Sequence, residues 1–139
     1  MSRYTHYIGI DPGVKTGFAV WLPSDQQFKT VETMAIHEAM DRIKNYYNGE
    51  KVMVVVEDAR QRKWFGKAGR EKLQGAGSIK RDCKIWDDFL KSLGIKYLMK
   101  KPIAGTTKWN QTTFKRHTNW QGRTNEHSRD AALLVFGRN

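Results

Sequence analysis

The chain has 139 residues, 39% hydrophobic and 28% charged, with 25 Lys and Arg against 14 Asp and Glu for a formal charge of +11. These values predict one soluble globular domain and exclude a disordered chain. The charge favours a polyanionic partner, nucleic acid ahead of an anionic membrane surface. The single cysteine, Cys83, excludes an intrachain disulfide and a zinc site built from several thiolates. No apolar run reaches the length of a membrane span, and MSRYTHYIGID lacks the make-up of a signal peptide, so a cytoplasmic location is expected.

In chain order, Tyr7 to Ile10 is a short apolar run ending in Asp11, and the turn-forming DPGVKTG follows. Gly17 to Leu22 (GFAVWL) reads as a second strand and Gln27 to Thr33 as a third. Pro23, Ser24 and Asp25 turn the chain between them, so the three strands form an antiparallel meander. Ile36, Met40, Ile43 and Tyr47 recur at helical spacing, and Asn48-Gly49 is the expected stop. Val52 to Val56 (VMVVV) is nearly all β-branched, which suits a strand buried on both faces, and it ends in Glu57. A polar, basic and aromatic loop, DARQRKWFGKAGREK, comes next.

Ala76, Ile79, Cys83, Trp86, Leu90 and Leu93 then describe a long helix from about Gly75, closed by Gly94. Ile95 to Met99 reads as another strand. Between Lys100 and Arg123 the chain is basic, amide-bearing and aromatic, with a weak helical stretch over Gln111 to Arg116. Thr124 or Asn125 caps a last helix from Glu126 to about Phe136. The order β-β-β-α-β-α-β-α predicts an α/β fold. Its sheet is mixed, an antiparallel meander followed by parallel strands, with helices packed on it, as in the RNase H architecture.

Four residues carry the chemistry. Asp11 sits at a strand end beside Gly13 and Gly17, rigidly held at the sheet rim where a phosphate can approach the backbone, although an ordinary hairpin would carry the same Asp-Pro-Gly. Glu57 ends the strongest strand. Asp58 beside it faces the other way if the strand continues, so only one of the two joins Asp11. His127 and Asp130, three apart, share a helix face that Leu134 continues into the interior. Each feature alone has a bland explanation as a solvated strand end or helix start. Together they place carboxylates and an imidazole where two divalent ions could bind: Mg²⁺ prefers carboxylates, phosphate and water, and one imidazole suits Mn²⁺. Such a pair clamps the attacking and leaving oxygens of a phosphodiester.

IGIDPGVKTGFAV, VVVEDAR, QGAGSIKRDCKIWDDFLKSLGIKY and NEHSRDAALL stand in the order and register of the RuvC-like Holliday junction resolvases, which the chain resembles over nearly its whole length. The first motif is shared in outline with actin-like ATPases; the ordered set is more specific. The resemblance implies that Asp11, Glu57, His127 and Asp130 bind two Mg²⁺, with Asp11 shared between them and Mn²⁺ an expected substitute. His127 stands where some members have aspartate and others histidine. The resemblance also decides for Glu57 over Asp58.

It makes the loop after Glu57 a junction-probing loop, with Trp64 or Phe65 stacking in the branch point, and the helix from about Gly75 to Leu93 a dimer helix. DNA contacts are implied for Arg60, Arg62, Lys63, Lys67 and Arg70, for Lys80 and Arg81, and for Lys101 and Arg116. Lys108 or Lys115 would offset charge at the scissile phosphate. The chain is shorter than the usual bacterial members, compressed between Gly94 and Arg123, and looks more like the compact phage-type relatives.

The expected activity is therefore metal-dependent hydrolysis of branched DNA by a symmetric dimer, leaving 5′-phosphate and 3′-hydroxyl ends. An RNA-processing nuclease of the same superfamily (YqgF-like) and a non-cleaving junction binder are the alternatives. A nucleotide-binding ATPase is excluded by length, since that fold needs two such domains.

Overall fold

Side chains along β1 (His6–Asp11) alternate: Ile8 and Ile10 join the core on one face of a sheet, and Tyr7 joins the core on the other. The computed structural model describes residues 3–61, 70–102 and 108–139, the stretch 70–76 by its backbone alone. β1 pairs antiparallel with β2 (Lys15–Leu22), which pairs antiparallel with β3 (Gln27–Ala35). β4 (Val52–Glu57) lies parallel to β1 on its other side, and β5 (Lys96–Lys100) parallel to β4. The five-stranded order β3-β2-β1-β4-β5 is the expected mixed sheet, consistent with an RNase H-like arrangement.

Helices cover both faces. Ala39 and Ile43 of α1 (Ile36–Tyr47) and Trp86 and Leu90 of α2 (Arg70–Leu93) pack on Ile8, Ile10, Phe18, Val20, Val54 and Val56. On the opposite face Phe114 of α3 (Gln111–Thr118) and Ala131 and Ala132 of α4 (Glu126–Leu133) pack on Tyr7, Ala19, Trp21, Phe28 and Val55. Among the described residues no helix is long and apolar enough to cross a membrane.

Several details differ from the sequence reading. α2 begins at Arg70 rather than near Gly75, because Arg-Glu-Lys-Leu-Gln are all good helix formers. Ile79, in its predicted apolar stripe, is exposed; the apolar burial of the described part of the helix starts at Cys83, where it meets the sheet. α1 ends without a left-handed glycine: Asn48 keeps φ at −67°, and the amides of Gly49 and Glu50 both donate to the Tyr46 carbonyl. Tyr47 at that end is exposed. α4 stops at Leu133, short of Phe136, as Leu134 and Val135 donate to Ala131 and Ala132 in a tighter turn. That turn brings Phe136 edge-on to Trp21 at 5.3 Å and lets the Arg138 carbonyl accept from Trp21 Nε1 at 2.9 Å. The predicted left-handed glycine after α2 is present, with Gly94 at φ +69°.

Candidate active site

Strand alternation decides which acids meet. Asp11 has the parity of Tyr7 and Glu57 that of Met53 and Val55, and all these partners belong to the core beneath α4. Asp11 and Glu57 each lie one residue past the Ile10–Val56 pair of the parallel ladder, so the two carboxylates end adjacent strands on one face. Asp58 takes the other side, as a two-sided strand requires. Its Oδ1 accepts from Arg60 Nε at 2.8 Å, Arg60 also donates to Asp87 at 3.1 Å, and Asp87 accepts the Tyr97 hydroxyl at 2.6 Å. Burial alone would raise the Asp58 carboxyl, but hydrogen bonds from Arg60 and Gln61 hold it below the usual carboxylate range. This network ties the segment after β4 to α2 and β5.

α4 reaches the site because glycines let it. A Cβ on Gly9 would strike the carbonyl of Ala131, and one on Gly17 the carbonyl of His127, so both are needed for the helix to lie this close to β1 and β2. The start of the helix is fixed by Asn125, whose side chain accepts from Ser128 N while Ser128 Oγ accepts from Asn125 N. Thr33 donates to the same Asn125 oxygen at 2.9 Å, pinning the cap to β3. The turn between β1 and β2 is closed by Thr16, whose hydroxyl donates to the Gly13 carbonyl at 2.7 Å. Gly17 thus serves helix packing.

The result is a concentrated acidic site with internal partners. His127 Nδ1 lies 3.1 Å from Asp11 Oδ2; the Asp11 side chain is 14% exposed and that of His127 54%. Burial, aided by the charge of Asp130, pushes the Asp11 carboxyl up to about 6, against the hydrogen bond and charge of His127 and the charge of Lys108. Lys108 Nζ donates to Asp130 Oδ2 at 3.1 Å and lies 3.8 Å from Glu126 Oε1. Burial would lower this ammonium, but Asp130, Glu57 and Glu126 together raise it. Asp11, Glu57, His127, Asp130 and Lys108 are therefore one electrostatic unit.

Among the described residues no three His, Cys, Asp or Glu groups already stand at metal-ligating spacing. Their chemistry nevertheless suits a hard divalent cation: three carboxylates and one imidazole, with Asp11 so destabilised as an anion that its carboxyl is raised to about 6.

The remaining predicted residues are more dispersed. Arg60 is bound to Asp58 and Asp87. Lys80 and Arg81 are exposed on α2 and Lys101 is exposed past β5. Lys115 and Arg116 occupy the last turn of α3, and Lys115 forms none of the ion pairs at the acidic site. Arg62, Lys63, Trp64, Phe65 and Lys67 lie outside the described residues, as does the side chain of Arg70.

Sequence reasoning missed Gly9, Glu126, Trp109 and Arg129. Arg129 Nε donates to the Trp109 carbonyl at 3.0 Å, and the Trp109 ring stacks on His117 with centroids 4.4 Å apart. Together they anchor the backbone next to Lys108. An isolated glycine inside an apolar strand was the available signal for Gly9; nothing in the local sequence marks the others.

Compared with models of known protein families and with curated protein sequences, the chain matches none.

Proposed function

We propose that the protein is a metal-dependent endonuclease that cuts branched DNA, in the manner of the RuvC-like resolvases it resembles. The observation that carries this reading is that Asp11 and Glu57 end adjacent strands β1 and β4 on the face covered by α4, where His127 stands 3.1 Å from Asp11 and the charges of Asp130 and Lys108 reach it. Acids that share one electrostatic site repel one another, and a divalent cation between them relieves that repulsion. A net charge of +11 around an acidic centre fits a polyanion that must be drawn in and then met by metal.

The four residues would hold two Mg²⁺, with Mn²⁺ able to substitute. When bound, the ions supply a water of lowered pKa and Lewis-acid neutralisation of the phosphodiester oxygens. The protein's own part is positional. Strand ends hold Asp11 and Glu57 rigidly, α4 sets Asp130 and His127 against them, and Lys108 adds positive charge at the same point. The products are 5′-phosphate and 3′-hydroxyl ends. A homodimer would apply two such sites to opposing strands of a four-way junction, matching the symmetry of its substrate.

The test is nicking of a labelled four-way DNA junction in Mg²⁺, with linear duplex DNA and RNA duplex alongside, by the parent and by Asp11→Asn. Paired nicks confined to the junction and lost in Asp11→Asn, with binding retained, are expected. Preferential cutting of RNA would move the substrate to the RNA-processing relatives. Junction binding with no cleavage in Mg²⁺ or Mn²⁺ would refute the enzymatic reading.

A further inference from the structure

Lys108 faces two acids on one side of α4, one helical turn apart. Asp130 is the inner one, with its side chain 11% exposed, and Lys108 Nζ donates to it at 3.1 Å. Glu126 is the outer one, 72% exposed, with its Oε1 3.8 Å from the same nitrogen. Both distances are reached from one backbone position, and that position is fastened. Arg129 holds the Trp109 carbonyl, and the Trp109 ring is clamped between His117 at 4.4 Å and Phe136 at 5.7 Å. The flexible lysine stem can swing from that position between the two acids. An ammonium on Asp130 satisfies the carboxylate that a divalent ion would need as a ligand, so the two cations compete for one group.

From this geometry we infer that Lys108 is a built-in competitor for the metal: it neutralises Asp130 until a divalent ion displaces it, and it then moves outward to Glu126. The inference rests on the metal site proposed above and adds to it a threshold. Metal binds at the cost of breaking the Lys108–Asp130 pair, and Glu126 lowers that cost by offering the displaced ammonium a second partner.

Lys108 and Glu126 make opposite predictions for metal affinity, which a merely structural lysine would not. Calorimetric titration of the DNA-free protein with Mn²⁺ should show Lys108→Met binding roughly tenfold more tightly than the parent. Glu126→Gln should bind more weakly, and that weakening should vanish in the Lys108→Met background. In the folded parent, the side-chain ¹⁵Nζ signal of Lys108 should shift as Mg²⁺ is added, a readout that needs no variant to fold. Lys108→Met binding Mn²⁺ no more tightly than the parent would overturn the inference, as would a Glu126→Gln effect of equal size with and without Lys108, or an Nζ signal that Mg²⁺ leaves unmoved. Asp11→Asn separates this from failure of the site itself. If it binds Mn²⁺ as well as the parent does, the metal site is elsewhere and both readings fall.

Discussion

Gly17 tests whether the packing of α4 creates the site. It pairs with Asp11 in the antiparallel ladder and lies directly beneath the His127 carbonyl. In Gly17→Ala the added Cβ overlaps that carbonyl and stands 3.0 Å from the Asp11 Cβ, so backbone blocks it on one side and a strand-fixed side chain on the other. Carbon atoms in comfortable contact sit about 3.5–4 Å apart, so α4 must withdraw by roughly 1 Å or the β1–β2 ladder must bend. A withdrawn helix loosens Ala131, Ala132, Leu134 and Val135, all buried. Overpacking of this kind costs about 1–3 kcal/mol, and the upper end is expected where no flexible side chain can yield. For a chain of this size that is a fall in Tm of about 6–10 °C by circular dichroism.

Gly49→Ala is the control. Nothing lies within 4 Å of its Cβ, and a change within about 0.5 kcal/mol is expected. Because His127 and Asp11 are forced apart, junction nicking by Gly17→Ala should fall about 100-fold even well below its Tm. A Gly17→Ala protein that melts within about 2 °C of the parent and nicks at the parental rate would refute the close-packing account.

Two further outcomes follow from charge. Asp11 is raised in the folded protein to about 6 from the usual 3.8, so its contribution to stability is fully present below the unfolded value and is lost as pH rises from about 4 through 6. In chelator, parent stability measured by urea unfolding should therefore decline over that window, on the order of 3 kcal/mol at most, and Asp11→Asn should flatten the decline and melt higher at pH 7. Identical pH profiles for the two proteins would show that Asp11 carries no such strain. Arg60 acts in the opposite sense. Arg60→Ala leaves Asp58 buried without its main partner and should cost about 1–3 kcal/mol at pH 7, discounted for the guanidinium's partial exposure. Since Asp58 is depressed in the fold, its stabilisation is present above the unfolded value and lost as pH falls, so the variant and parent should converge in acid. A neutral variant at pH 7 would mean that Arg60 is spare for DNA.

The strands were legible because a short, dense apolar run bounded by turn signals marks a strand buried on both faces, and VMVVV and YIGI are such runs. The choice between Glu57 and Asp58 was not: strand parity left it open, and the resemblance decided it. The register that sets Gly9 opposite Val55 puts Glu57 on the face of Asp11, and that pairing belongs to the fold. What local sequence does not reveal is the partner of a charge. Arg60 finds Asp87 27 residues on, and Lys108 finds Asp130 22 residues on, pairings that no local periodicity encodes. A lysine that faces solvent and one that faces a buried carboxylate look alike until the fold joins them. This bears on how the +11 charge is read. Arg60 and Lys108, both candidate phosphate contacts by sequence, are already committed to internal acids, so under the proposed function the phosphate contacts would come from exposed groups such as Lys101 and Arg116. Phosphate affinity and its salt dependence should then follow these surface charges, while Arg60 and Lys108 govern stability and metal binding.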